Sequence, residues 1–345
     1  MEASPLLQDG MLDVGNGHSI YWRSHGNRQA PAVVILHGGP GGAMNPQWGE
    51  FFDPAHWHVI FFDQRGCGKS TPFGELRHND LPLLVDDMER LRTLLGIERW
   101  ALFGGSWGTT LALAYGAAFP ERCLGFLLRG IFLARQEDMD WFLWDVRRIF
   151  PDQHKIFLDA IETASGRRPA NVQEILTCAQ APLARFDQAG ITLAHAWSDY
   201  EKSLSGLTPA AEPALEPTAA STAAPAVSSA AEKPASHEQP AESSASPAVS
   251  MALLERHYMA DNLPPPPLLA QVPRFAHLPC YIVHGRVDMV CPADQAYALA
   301  QVWPDAHLTL VDGAGHWTFA PGISAALRRD AQRLGQDLAG RGGAA

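Results

Sequence analysis

Short uninterrupted apolar runs, alternating with helical patterns, constrain the fold of this chain more than any other feature. Such runs, rich in β-branched and aromatic residues, lie at 32–36, 58–62, 100–103, 281–283 and 307–311. Runs of this kind are typical of parallel strands that are buried on both faces. Helical spacing lies between them, as at 83–95, and a second helix is expected at 107–118. The alternation predicts an α/β fold with a mostly parallel central sheet.

The alternation stops near residue 133 and resumes near residue 280, which indicates an insertion. We expect a first part of the core at 1–133, an inserted helical cap at 134–268, and a second part of the core at 269–345. Within the cap, residues 208–250 are nearly all Ala, Pro, Ser, Thr and Glu. Such a segment buries too little apolar surface to offset a backbone entropy cost of about 1–2 kcal/mol per residue. It is predicted to be a disordered insertion, and a role as a functional linker stays open.

The charge balance argues against nucleic acid as a partner. The 345 residues include 26 Lys and Arg against 37 Asp and Glu, which gives a net charge of −11. Phosphate backbones are bound by clustered basic residues, and the sequence has no basic run. No apolar stretch reaches the roughly 18 residues that a membrane helix needs, so no membrane contact is expected.

The cysteines and the N-terminus indicate the compartment. The five cysteines are odd in number, and their spacing fits neither a disulfide framework nor a zinc site. Free thiols are typical of a reducing compartment. No secretory signal is visible at the N-terminus. A soluble cytoplasmic protein is expected, and the sequence leaves its oligomeric state open.

The motif G-G-S-W-G at 104–108 carries the strongest chemical signal. It follows one predicted strand and precedes a predicted helix, so Gly104-x-Ser106-x-Gly108 matches a nucleophile elbow. The sharp turn exposes the serine Oγ above the sheet, and side chains at the flanking glycines would collide with neighbouring elements. Ser106 is therefore the predicted nucleophile.

A second glycine-rich loop, H-G-G-P-G at 37–41, follows the strand at 32–36. In proteins with this elbow, a loop after an early strand supplies one backbone N–H to the oxyanion, and the residue after the nucleophile supplies the other. Gly39 and Trp107 are the predicted oxyanion donors. By contrast, D-Q-R-G-C-G-K-S at 63–70 lacks the Walker spacing of a phosphate loop and is interpreted as a brace for neighbouring loops.

The base and the acid are expected at the ends of later strands, in the chain order Ser, Asp, His. His316 follows the strand at 307–311 in G-A-G-H. Asp288 and Asp312 are both candidates for the acid. Asp288 is favoured because it follows a different strand, from which a carboxylate can reach the far nitrogen of the imidazole. Its role would be to fix the histidine tautomer and stabilise the imidazolium.

These residues predict a serine hydrolase mechanism. Ser106 would pass its proton to His316 and attack a carbonyl, and water would then release the acyl group. The reaction needs no metal and no cofactor. Two further interpretations stay open, namely an esterase or amidase that does not recognise a free amine, and a non-enzymatic binding protein built like a hydrolase.

Taken together, the motifs resemble the proline iminopeptidases (prolyl aminopeptidases), a family of α/β-hydrolases. The resemblance is carried by H-G-G-P-G-G at 37–42, D-Q-R-G-C-G-K-S-T-P at 63–72, G-G-S-W-G-T-T-L-A-L-A-Y at 104–115, L-R-G-I-F-L at 128–133, E-R-H-Y at 255–258 and H-G-R-V-D-M-V-C-P at 284–292. It implies an α/β-hydrolase fold with a helical cap, and release of an N-terminal proline from peptides.

The resemblance also implies substrate-binding residues. Glu201 and Glu255 match the cap carboxylates that hold the free amine of the substrate. Phe132, Phe142 and Cys291 match positions of the apolar pocket for the proline ring. Without the resemblance, each of these residues would be interpreted as an ordinary surface or core residue.

The sequence departs from the family pattern at several positions beside these motifs. Val287 stands where a tyrosine is usual, and Arg256 and Met259 replace an asparagine and a phenylalanine. Trp317 follows the predicted catalytic histidine in place of a serine, and Ala320 stands where a glutamate is usual. No departure removes a predicted catalytic residue, so the departures affect the expected substrate range more than the reaction class.

Overall fold

The computed structural model of the protein describes residues 6–206 and 246–342. Most of the predicted disordered segment, namely residues 208–245 of 208–250, lies outside this part of the chain. Within it, an eight-stranded sheet has the order β1-β2-β4-β3-β5-β6-β7-β8. The strands are β1 (Leu6–Gly15), β2 (His18–Gly26), β3 (Ala32–Leu36), β4 (His58–Phe62), β5 (Trp100–Ser106), β6 (Cys123–Ile131), β7 (Cys280–Gly285) and β8 (Ala306–Val311).

The sheet is mostly parallel, as predicted. Only β2 runs antiparallel to its neighbours, β1 and β4. All pairs from β4 through β3, β5, β6 and β7 to β8 are parallel. The five predicted strands are all present, and three further strands were not predicted: β1, β2 and β6.

The central strands are apolar throughout because both faces of the sheet are covered. Along β3, Val34 and Leu36 point into the core on one side, while Val33 and Ile35 point into the core on the other. Successive side chains of a strand project to opposite faces, so a strand covered on both sides needs apolar residues at every position.

The helices lie in two layers and a cap. Their bounds are α1 (Leu81–Leu94), α2 (Trp107–Ala118), α3 (Gln136–Leu143), α4 (Pro151–Ser165), α5 (Val172–Arg185), α6 (Gln188–Leu204), α7 (Pro247–Asp261), α8 (Leu268–Gln271), α9 (Ala293–Gln301) and α10 (Pro321–Gly342). Helices α1, α2 and α9 cover one face of the sheet, and α10 covers the other. Helices α4 to α7 pack mainly on one another and form most of the cap.

The start of α7 corrects the predicted extent of the disordered segment. The prediction ran to residue 250, but Ser246 caps α7 and Pro247 is its first residue. Proline suits this position because its missing N–H would have had no intrahelical acceptor. Val249 and Ser250 are buried, and the Ser250 hydroxyl donates to the Gly41 carbonyl over 2.8 Å. The low-complexity composition concealed a helix start that tertiary packing stabilises.

The parallel strands place their carboxyl ends at one edge of the sheet. Ser106 is the last residue of β5, and His37 directly follows β3. Asp288 and His316 lie in the loops after β7 and β8. These two loops are joined by the Val287 N–H, which donates to the Ala314 carbonyl over 3.0 Å. Among the described residues, no helix is both long and apolar enough to span a membrane.

Candidate active site

The turn between β5 and α2 holds Ser106 in a strained conformation. Its φ of 56° and ψ of −127° lie outside the regions that non-glycine residues normally occupy. The neighbouring glycines make the turn possible, because a Cβ at Gly104 would clash with the Gly108 carbonyl and one at Gly108 with the Leu36 carbonyl. Trp107 is the first residue of α2, so its N–H has no intrahelical acceptor.

The loop after β3 lies directly against Ser106. A methyl group on Gly38 would lie 3.2 Å from the Cβ of Ser106 and 3.8 Å from its Oγ. Gly39 has a φ of +106°, which side chains rarely tolerate, so this position favours glycine. The backbone groups of Gly39 and Trp107, predicted to bind an oxyanion, are thus on the two segments that border the serine.

A buried hydrogen-bond network fixes these two segments. Gln64 links them: its N–H donates to His37 Nε2 and its side-chain amide donates to the His37 carbonyl, each over 3.0 Å. Its Oε1 accepts from the indole of Trp107 over 2.9 Å. Asp63 accepts from the Met44 N–H over 2.8 Å. These contacts agree with the interpretation of 63–70 as a brace.

Asp288, rather than Asp312, lies beside His316. The Nδ1 of His316 is 2.6 Å from the Asp288 Oδ2, and both residues are buried. The other oxygen, Oδ1, accepts the N–H groups of Val290 and Cys291 over 3.0 and 2.8 Å. Asp312 instead forms an exposed ion pair with Arg286.

The surroundings of Asp288 favour its charged form. Burial raises the pKa of this carboxyl, but the neighbouring His316 and the backbone N–H of Cys291 outweigh it and hold the pKa below its ordinary value. The carboxylate can therefore accept from Nδ1–H of His316. That bond leaves Nε2 as the proton-accepting nitrogen of the neutral imidazole.

Arg129 is a functional candidate that the sequence reasoning missed. It lies on β6, is buried, and brings its Nη1 to 3.3 Å from the His316 Nε2 and 3.0 Å from the His316 carbonyl. Burial lowers the pKa of its guanidinium, while Asp288 and Glu201 favour the charge. An arginine remains charged even so. The available signal was a single charge inside the apolar run L-L-R-G-I.

Two buried carboxyl groups from the cap lie close together above the core. Glu255, on α7, is 1% exposed, and its carboxyl is within hydrogen-bond reach of Glu201 on α6. Burial raises the pKa of both groups, and for Glu255 the neighbouring Glu201 raises it further. Among the described residues, none donates to the buried Oε2 of Glu201.

Trp197 orients this carboxyl pair. It precedes Glu201 by one helical turn on α6, and its indole N–H donates to the Glu255 Oε2 over 2.6 Å. Glu201 also interacts electrostatically with His316 and Arg129. The pair therefore lies close to the imidazole, and one of its buried oxygens has no hydrogen-bond donor among the described residues. Nothing in the sequence around Trp197 pointed to this contact.

The predicted apolar pocket residues are all buried. Phe132 follows β6, and its N–H donates to Thr109 Oγ1 over 2.9 Å, which ties it to the helix after Ser106. The ring of Phe142 packs on the ring of Tyr200, which precedes Glu201 in the chain, with the ring centroids 5.8 Å apart. Burial raises the pKa of the Cys291 thiol well above its ordinary value. A protonated thiol behaves as a small apolar group.

Comparison with known proteins extends these observations. Residues 31–322 match the model of the alpha/beta hydrolase fold family. A probable proline iminopeptidase of Leptolyngbya boryana is 39% identical over 325 residues, which are 93% of this chain and 92% of that protein. The proline iminopeptidase of Xylella fastidiosa is 37% identical over 93% of this chain and 94% of its own length.

A solved structure gives the same fold. The crystal structure of proline iminopeptidase from Mycobacterium smegmatis aligns with a TM-score of 0.56 at 17% identity, covering 96% of this chain and 99% of the other. That likeness concerns the fold alone, whereas the sequence identities above identify the family. The chain therefore belongs to the alpha/beta hydrolase fold family and, within it, to the proline iminopeptidases.

Proposed function

We propose that this protein is a serine aminopeptidase that releases an N-terminal proline from peptides. The observation that carries the proposal is the buried carboxyl pair, Glu201 and Glu255, beside a hydrogen-bonded His316–Asp288 pair. Burial raises the pKa of both carboxyl groups, so the empty pair favours a shared proton, and a cation that enters the site stabilises the charged carboxylates instead. The charged amine at the start of a peptide supplies such a cation. Family membership supports the same conclusion.

The proposed reaction begins with Ser106. Its Oγ loses a proton to Nε2 of His316 and attacks the carbonyl carbon of the proline residue. The N–H groups of Gly39 and Trp107 stabilise the oxyanion. His316 then gives its proton to the leaving nitrogen as the C–N bond breaks, which releases the shortened peptide and leaves an acyl-enzyme. Water, activated by the same imidazole, hydrolyses the ester and releases proline.

The remaining side chains select the substrate. Glu201 and Glu255 bind the charged imino group, and Trp197 fixes the position of Glu255. Phe132, Phe142 and Cys291 provide apolar surface for the proline ring. The carboxyl pair excludes peptides that carry a residue before the proline. Such a residue would place an uncharged amide against the buried carboxyl groups.

The expected cytoplasmic location remains a prediction. The five cysteines support it, because all of them are free and buried. Unpaired thiols are typical of reducing compartments.

An assay of the requirement for a free amine tests this function. Proline naphthylamide should be hydrolysed, and its N-acetyl derivative should show a kcat/KM lower by about 100-fold or more, since acetylation removes the charge that the carboxyl pair binds. Alanine naphthylamide, with the same free amine, controls for the proline pocket. Equal hydrolysis of the free and the acetylated substrates would contradict the aminopeptidase assignment.

A further inference from the structure

Trp317 is an exposed aromatic residue beside the proposed catalytic base. It is 59% exposed, although its neighbour His316 is only 8% exposed. The N–H groups of both residues point to the Ser205 carbonyl at the end of α6, over distances of 2.7 Å from His316 and 3.2 Å from Trp317. The backbone that carries the indole is therefore held firmly against the cap, while the ring itself keeps a large accessible surface.

Contacts with other aromatic rings hold the indole of Trp317 in place. Trp317 contacts Phe319 edge-on with ring centroids 6.5 Å apart, and Phe319 stacks on Phe51 at 5.8 Å. Phe51 packs in turn on Phe103 of β5, which Trp48 also contacts. Trp48 lies shortly after the loop that contains Gly39. This chain of ring contacts connects the histidine loop with the segment after the glycine-rich loop. Its members Trp317, Phe319 and Trp48 are called the aromatic rim.

The chemistry of the reaction fixes which part of the substrate lies near this rim. The charged imino group of proline is bound at the carboxyl pair of the cap. The leaving nitrogen must face Nε2 of His316, because that atom delivers its proton. The residue that follows proline is attached to this nitrogen, so its side chain leaves the site on the side of the His316 loop, which also carries Trp317.

We propose that Trp317 binds the side chain of the residue that follows proline, and that it favours an aromatic or large aliphatic side chain there. This inference rests on the proposed function. The exposed indole, one residue after the histidine that protonates the leaving nitrogen, offers a flat apolar surface, and aromatic pairs gain affinity beyond that of simple area burial. The contact exists in the bound substrate as well as in the transition state, so it should act mainly on KM.

Two dipeptide amides, Pro-Phe-NH2 and Pro-Gly-NH2, test this role in the unmodified protein. Stacking on the indole should raise kcat/KM for Pro-Phe-NH2 about tenfold above that for Pro-Gly-NH2. If the protein hydrolysed neither of the two amides, the proposed function itself would be overturned. Hydrolysis of both with equal kcat/KM would overturn only the role of Trp317.

Variants of the exposed ring complete the test. Trp317→Ala should bring the preference for Pro-Phe-NH2 down to about threefold or less through a higher KM, and Trp317→Phe should keep most of it. Tyr297→Ala is the matched control, since Tyr297 is 58% exposed on α9 and has no part in the proposed mechanism. An unchanged preference in Trp317→Ala would contradict the proposal, as would an equal loss in Tyr297→Ala.

Discussion

At the scale of single residues, the site is organised by buried charges that compensate one another. Asp288 accepts from His316 and from two backbone N–H groups, and Arg129 contributes a positive charge beside the same imidazole. Glu201 and Glu255 lack an equivalent salt bridge among the described residues. The resulting excess of carboxyl groups is what a cationic substrate would neutralise.

Glu255→Gln tests the charge of this pair with little change of shape. We expect kcat/KM for proline naphthylamide to fall by a factor that corresponds to about 2–5 kcal/mol, because an amide cannot become the carboxylate that is proposed to pair with the amine. Hydrolysis of a simple acetate ester, which has no amine, should change far less. Assays of both substrates with the same enzyme preparation measure the ratio.

Trp197→Phe is the control for Glu255→Gln. It removes the indole N–H that donates to Glu255 but leaves both carboxyl groups in place. Its loss for proline naphthylamide should be smaller than that of Glu255→Gln, since a single hydrogen bond to a charged group contributes about 1.5–3 kcal/mol. Equal losses of ester and aminopeptidase activity in Glu255→Gln would contradict a role in amine binding.

The sequence could predict some of these residues and not others. Asp288 was favoured over Asp312 because it follows a different strand, and in the structure it is the one bonded to His316. Arg129 and Trp197 were missed, because a lone charge inside an apolar run does not reveal its partner and a tryptophan in a helix has no spacing signal. Their partners become apparent only when β6 meets the histidine loop and α6 meets α7.

At the scale of elements, the turn from β5 to α2 depends on backbones that approach too closely for side chains. Trp107, at the start of α2, is buried, and the Leu36 carbonyl at the end of β3 lies against Gly108. The same turn holds the strained Ser106. The elbow is therefore a property of three packed elements and not of the motif alone.

Gly108→Ala tests this packing. The added methyl group would meet the Leu36 carbonyl, which is part of the central sheet and cannot rotate away. We expect a loss of about 1–3 kcal/mol in the free energy of unfolding, measured by urea denaturation. Gly340→Ala, at an exposed position in α10 with open space around it, should cause no loss. Equal stability of the two variants would contradict the role assigned to Gly108.

Strand prediction succeeded where burial is symmetric. The apolar runs at 32–36 and 58–62 became β3 and β4 with unchanged bounds, because both of their faces are covered. Strand β1 forms the sheet edge and is largely accessible, and Gln8, Asp9 and Asp13 interrupt its apolar residues. Strand β2 has buried positions that alternate with half-buried ones along most of its length, and β6 contains Arg129 and two glycines. These three strands lack the continuous apolar pattern.

At the scale of the whole molecule, the site lies where the core meets the cap. The core supplies Ser106, Asp288 and His316, and the cap supplies Glu201 and Glu255. Contacts join the two parts at the site itself: the Ser205 carbonyl accepts from the His316 N–H over 2.7 Å, and Ser250 donates to Gly41. If these residues act as proposed, these contacts link substrate selection with the chemistry, although the residues concerned are distant in sequence.

The central claim is that Ser106 is a nucleophile activated by His316 and Asp288. Labelling with a fluorophosphonate probe, followed over time and mapped by mass spectrometry, tests it most directly. The account predicts modification of Ser106 in the unmodified protein, none in Ser106→Ala, and a rate reduced by about 10³-fold or more in His316→Ala. Labelling that persists in Ser106→Ala, or proceeds at an unchanged rate in His316→Ala, would contradict the account.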